Sequence, residues 1–255
     1  MILNTDSIDI ARFSDAVRRV ALEERLSEGF SVYAEGAVHK TVKLYLEPNA
    51  EHHEVPLLGG VADIFDGEVV REVQTGDLSP LVPKLKRILP YYPVEIVHPF
   101  PVYTSHRWLD KDSGEISAPT KRGACRSIYT VARRLYPIRG LIGNDNFTVR
   151  ILAYECEEFR ALDGWDKTKK RGATLLGKMP RALVGELVLR GASDYRALLP
   201  DSLQDGFRRV DYLKAVKGRS RYDGAGLKLL LYLGVIEQTG REGRSAIYSR
   251  VGITT

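Results

Sequence analysis

The stretch GVADIFDGEVVREVQT, residues 60–75, decides how the chain is read. Asp66-Gly67 is a hairpin signal: Asp bonds back to its own turn, and Gly takes a positive φ without strain. Residues 54–65 and 68–74 therefore predict two antiparallel strands. The Gly59-Gly60 pair predicts a bulge in the first of them. Asp63 lies at the end of that strand, while Glu72 and Gln74 stand two apart on the next. Side chains two apart on a strand share a face, and a tight hairpin brings Asp63 beside Glu72. Two adjacent carboxylates suit Mg²⁺ or Mn²⁺, hard cations that accept oxygen ligands and keep several waters. Glu54 opens the first strand and is a candidate third ligand. It is nine residues from Asp63, so it shares that face only if the glycine pair shifts the register.

Working outward, residues 6–28 predict a helix, with Ile10, Phe13, Val17, Val20 and Ala21 at helical spacing. Residues 38–46 alternate (His39 and Lys43 against Val42, Leu44 and Leu46) and predict a strand. Ser79-Pro80 opens a helix carrying Leu81, Leu85, Ile88 and Leu89. Residues 94–97 predict a strand closed by Pro99 and Pro101. A strand reached through a helical crossover runs parallel to one already in the sheet.

Helix, three strands, helix, strand, with a strand-end Asp and then Glu-x-Gln, resembles the PD-(D/E)XK, or restriction-endonuclease-like, nuclease superfamily. That family is built on an αβββαβ core. The resemblance covers residues 6–98 and implies an α/β fold. It makes Asp63 the first metal ligand and Glu72 the second acid. Gln74 stands where the family usually has lysine. The implied activity is Mg²⁺-dependent hydrolysis of DNA phosphodiester bonds. Gln74 cannot carry the lysine's charge, and Lys84 or Lys86 on the following helix is a candidate replacement. The alternative is a non-catalytic DNA-binding or regulatory protein on an inactive nuclease-like fold. GVADI followed by EVQT also resembles an uncharacterised bacterial group.

Beyond the core, residues 103–109 and 115–118 predict a hairpin, 124–136 a helix and 147–154 a strand. The polar, aperiodic residues 163–177 read as a linker. Helices are expected near 180–189 and 193–199. Residues 210–216 and 220–234 then read as two helices, and 235–238 with 246–248 as a hairpin with a basic tip. This order resembles a winged helix, whose second helix enters the major groove. The resemblance implies DNA contacts from Arg219, Arg221, Tyr222 and Lys228 on the helix, and from Arg241 and Arg244 on the wing. The expected organisation is a nuclease-like core over 1–101, an α+β extension over 102–165 and a winged-helix domain over 166–255.

Charge divides along the same line. Residues 166–255 carry 18 Lys and Arg against 9 Asp and Glu, a balance of +9, while residues 1–165 stand at −4 and the whole chain at +5. A basic end can hold a polyanion by releasing its counterions. Cys125 and Cys156 lack metal-site spacing and are expected to be buried thiols. His52-His53 and residues 110–115 read as turns rather than metal loops. No P-loop, GxSxG or membrane-length apolar run occurs, and the start lacks a signal-peptide pattern. The expected location is the cytoplasm. A homodimer would suit a nuclease cutting both strands, although no dimerisation element is visible.

Overall fold

The computed structural model describes residues 3–26, 36–110, 113–165, 171–218 and 222–252. Two helices come first, α1 (Ile10–Leu26) and α2 (Ala37–Leu46). The second corrects the strand expected at 38–46. Ala37, Val38, Thr41, Val42 and Tyr45 are all buried, and their spacing marks one helical face. The alternation of Val42, Leu44 and Leu46 fits a strand over five residues but not over the whole segment.

β1 (His53–Leu57) and β2 (Gly60–Phe65) replace the single bulged strand expected at 54–65. Leu58 and Gly59 both have positive φ, 48° and 71°. They form the kind of two-residue turn that matches strand twist. β3 (Val70–Val73) follows the Asp66-Gly67 turn. The αβββ order thus survives, with α2 inserted and the first strand moved to His53.

α3 (Val82–Ile88) crosses to β4 (Val94–Leu109), which runs parallel to β3. β4 does not stop at the prolines. Val97 turns its carbonyl toward β3, where it accepts from the Gln74 N–H at 2.9 Å. Pro99 and Pro101 therefore turn their missing N–H to the same side, past the end of β3, where the sheet needs no donor. There residues 115–126 run along the open edge, with Thr120 N–H donating to His106 and Gly123 N–H to Thr104. The hairpin expected between 103–109 and 115–118 is this edge. The helix expected at 124–136 is shorter: a 3₁₀ turn at Ile128–Val131 leads into α4 (Ala132–Leu135).

β5 (Phe147–Trp165) is parallel to β4, and β6 (Arg171–Leu189) is antiparallel to β5. The result is a six-stranded mixed sheet in the order β1-β2-β3-β4-β5-β6. β5 and β6 replace the linker expected at 163–177 at residues 163–165 and 171–177, residues 166–170 lying outside the described residues, and β6 overturns the helix at 180–189. Leu183-Val184 and Leu187-Val188 recur every four residues and imitate a helix, and bulges against β5 interrupt the strand alternation. The sheet consequently continues past residue 166, where a domain boundary was expected.

One face of the sheet packs Val73, Val97, Leu152 and Tyr154 against Phe13 of α1 and Val42 of α2. The larger core brings Leu85 and Ile88 of α3, Leu135 of α4, and Ile96, Val149 and Ile151 of the sheet together. Charges join the strands laterally. Arg71 pairs with Asp66 at 2.6 Å and Glu95 at 3.4 Å, and Arg150 with Glu95 at 2.8 Å and Glu186 at 2.5 Å. Cys156 is buried, as expected, but Cys125 is exposed.

After a 3₁₀ segment at Ala192–Leu198 come β7 (Phe207–Arg208), α5 (Arg209–Ala215), α6 (Gly224–Tyr232), β8 (Ile236–Glu242) and β9 (Ser245–Arg250). The three strands form a second sheet, ordered β7-β9-β8. Leu227, Leu229 and Leu230 of α6 join the same apolar core as α4. Arg133 pairs at 3.1 Å with the buried Asp223. No helix among the described residues is long and apolar enough to cross a membrane.

At Gly226 α6 comes into close contact with α5 and α4. A Cβ there would lie 2.5 Å from Tyr212 Oη and 3.0 Å from Ala132 Cβ. Gly226→Ala is expected to lower stability in urea by about 1–3 kcal/mol through overpacking. An unchanged unfolding midpoint would show that α6 does not need this contact.

Candidate functional site

Asp66 sets the register of the β2–β3 hairpin. Its Oδ1 accepts from the Glu68 N–H at 3.0 Å and the Val69 N–H at 2.8 Å, while Oδ2 accepts from Arg71 at 2.6 Å. Burial alone would raise its pKa, but the Val69 N–H, Arg71 and the Glu68 N–H outweigh it and bring the carboxyl down to about 2. With Phe65 opposite Val70 and Ile64 opposite Arg71, the next pair along is Asp63 opposite Glu72. The same counting on β1, from His53 opposite Ile64 and Val55 opposite Ala62, brings Glu54 level with Asp63, although the positive φ of Glu54 (52°) breaks the strand conformation there. Three acids thus stand in a row across β1, β2 and β3, as the sequence suggested for two of them.

Each acid in the row meets a base. Asp63 Oδ2 lies 3.1 Å from His39 Nε2 of α2 and also accepts from the Val73 N–H at 2.8 Å. Glu72 is only 2% exposed, and its Oε2 accepts from Lys84 Nζ at 2.5 Å. Lys84 also donates to the Val61 carbonyl. Glu54 is held by the buried Lys43 of α2. His39 and Lys43 are four apart on one helix, so they share a face. The strand-like alternation of residues 38–46 hides that pair.

The two central acids differ. Burial would raise Asp63, but the bond and charge of His39, the Val73 N–H and the charge of Lys84 outweigh it and hold the carboxyl below its usual range. Burial, joined by the charge of Asp63, raises Glu72 despite Lys84. Glu72 Oε1 is buried with no hydrogen-bond partner among the described residues. A buried carboxylate oxygen left bare is costly, and it is the atom a bound cation or water would satisfy.

The remaining expected site residues divide. Gln74 does not join the acids: its side-chain amide donates to the Asp77 carbonyl at 2.8 Å. Lys84, not Gln74, brings a positive charge to Glu72, while Lys86 is exposed. Glu54 is in register with Asp63, but its side chain is 61% exposed and turned to Lys43. Among the described residues no group of three or more His, Cys, Asp or Glu side chains is arranged to hold a metal. A metal here would therefore have two protein ligands, Asp63 and Glu72, a number that suits Mg²⁺ with its waters. In the C-terminal unit Tyr222, Lys228, Arg241 and Arg244 are exposed, the last two flanking the β8–β9 turn at Gly243. Arg219 and Arg221 lie outside the described residues. So does residue 170, with most of the basic run at 167–171.

The raised pKa of Glu72 gives a signed expectation. A group whose folded pKa is raised contributes most below its ordinary value, and that contribution is lost as pH rises through the raised one. Wild type should therefore lose stability relative to Glu72→Gln as pH increases above about 4.5, in paired chemical-denaturation series. A difference that is flat or rises with pH would contradict the assigned environment.

The chain is similar to an uncharacterised protein of Treponema pallidum (strain Nichols), 25% identical over 221 residues, which cover 85% of each chain. No solved structure matches. A family model matches residues 36–190, from α2 to the end of β6, and the chain belongs to that family, described as a domain of unknown function (DUF8091).

Proposed function

We propose that the protein is a divalent-metal-dependent DNA endonuclease, with Asp63 and Glu72 as metal ligands. The observation that carries this reading is the buried Oε1 of Glu72, without a hydrogen-bond partner among the described residues, on an acid that feels the charges of both Asp63 and Lys84. The order α, βββ, α, β around it supports the resemblance to PD-(D/E)XK nucleases. Lys84, reaching the acid from α3, supports a transfer of the lysine's role from the position held by Gln74.

A divalent cation bound there supplies Lewis-acid polarisation of the phosphodiester and a more acidic water. The protein's own groups do the rest. Asp63 enters the reaction ionised, because His39 and the Val73 N–H hold its charge. Lys84 offers an ammonium beside Glu72 to the negative charge that grows on the phosphate in the transition state. DNA would be carried by the exposed basic tip at Arg241 and Arg244 and by the outward face of α6 with Tyr222 and Lys228. Because the inner face of α6 is packed on the core, groove reading by that helix would be confined to its outer side. Cutting both strands needs two active sites or two encounters, so a homodimer, like a cytoplasmic location, belongs to the same proposal.

A second reading has its own observation. Every acid of the row already has a basic side chain beside it, Lys43, His39 or Lys84. A fully compensated row suits a DNA-binding or regulatory protein without cleavage.

Incubation with plasmid and single-stranded DNA at low salt, with Mg²⁺ or Mn²⁺, separates the two. Metal-dependent cutting should disappear in Asp63→Ala and Glu72→Ala and fall about 10²–10³-fold in Lys84→Ala. DNA binding without cutting by wild type would establish the second reading.

A further inference from the structure

A cavity of about 550 Å³ opens beyond the end of β3 and over the middle of β4, lined among others by His98, Phe100, Pro101, Arg126, Arg134 and Lys178. Its charge is not balanced. Lys178 is paired with Glu158 at 3.2 Å. Neither Arg126 nor Arg134 has a carboxylate partner among the described residues, and Arg126 lies over the Phe100 ring at 5.0 Å. Burial and the nearby guanidiniums of Arg133 and Arg126 lower the pKa of Arg134. The charges of Asp77 and Asp223 offset this only in part, so two crowded guanidiniums face one cavity without an ion-pair partner among the described residues.

His98 adds directional chemistry. It is 4% exposed, and its Nδ1 is 2.6 Å from the Gln74 carbonyl. A carbonyl only accepts, so Nδ1 carries the proton. Burial, which outweighs that bond, lowers the pKa to about 4, and the ring is neutral near pH 7. Nε2 is then an acceptor without a partner among the described residues, in a ring that lines the cavity. The walls beside it are the apolar faces of Phe100, Pro101 and Tyr154. Such a cavity suits an anion attached to a flat group bearing a hydroxyl or N–H donor.

We propose that this cavity binds the phosphate monoester of a nucleotide, with Arg126 and Arg134 holding the phosphate and His98 Nε2 accepting from the sugar or base. Arginine forks suit the geometry of phosphate oxygens. The same chemistry is offered by a free nucleoside monophosphate and by the phosphorylated end of a polynucleotide. The site uses none of Asp63, Glu72 or Lys84, so it stands or falls apart from cleavage.

Calorimetric titration of the full chain with adenosine 5′-monophosphate, adenosine, and a short oligonucleotide with or without a 5′-phosphate tests it. The monophosphate should bind, and removing the phosphate should weaken binding about ten-fold or more. Arg126→Gln with Arg134→Gln should cause a similar loss at unchanged thermal stability, Arg134→Lys should retain part of the affinity, and Asp63→Ala should bind as wild type does. Tighter binding of the 5′-phosphorylated oligonucleotide than of the mononucleotide assigns a polynucleotide end, and the reverse assigns a free nucleotide. Binding that ignores the phosphate, or the two arginines, overturns the proposal, as does no binding of any probe.

Discussion

The four-residue connection between Phe65 and Val70 constrains more of this molecule than any other contact. Side chains alternate along a strand, so a slip of one residue in the β2–β3 pairing would turn Glu72 to the opposite face. Asp66 prevents that slip by accepting two backbone N–H groups and an arginine at once. Once the register holds, Asp63 and Glu72 must be neighbours, and their mutual repulsion in a buried setting has to be compensated. Lys84 from α3 and His39 from α2 provide the compensation from separate helices. Arg71 couples the same turn to Glu95, and Glu95 to Arg150, so the hairpin is tied into the centre of the sheet.

Much of this was legible in local sequence. The Asp-Gly turn, the Asp63–Glu72 proximity, the crossover through α3 and the parallel β4 follow from turn chemistry and short-range periodicity. What was not legible depended on longer-range structure. α2 is disguised because Val42, Leu44 and Leu46 alternate while the residues that decide the matter, Ala37, Val38 and Tyr45, lie at its two ends. The extent of β4 was hidden by prolines, which are harmless where their missing N–H faces beyond the end of β3. β6 was hidden by a four-residue apolar repeat and by bulges. Lys84 was a candidate by position, but only packing could bring Nζ to Glu72. Gln74 shows the limit of motif matching: it holds the expected position in the chain, yet its amide is drawn into the Asp77 turn.

The C-terminal unit shows a different limit. Helix, helix and hairpin were readable over 207–250, but the burial of one face of α6 in a core shared with α4 was not. Its leucines bury against α4, and Asp223 at its start pairs with Arg133. Charge composition marks the basic end of the chain but not Arg126 and Arg134, which have no carboxylate ion-pair partner among the described residues and belong to the part of the sequence with a net negative balance. Local charge, not domain charge, marks where an anion would be stabilised.

The central claim is that Asp63 and Glu72 together hold one divalent cation. Titration of wild type with Mn²⁺, followed by electron paramagnetic resonance of the free ion, tests it without any assumption about substrate. One bound Mn²⁺ per chain, displaced by Mg²⁺ and lost in both Asp63→Asn and Glu72→Gln, is the result expected. Absence of binding at millimolar metal, or binding that survives both substitutions, would contradict the claim.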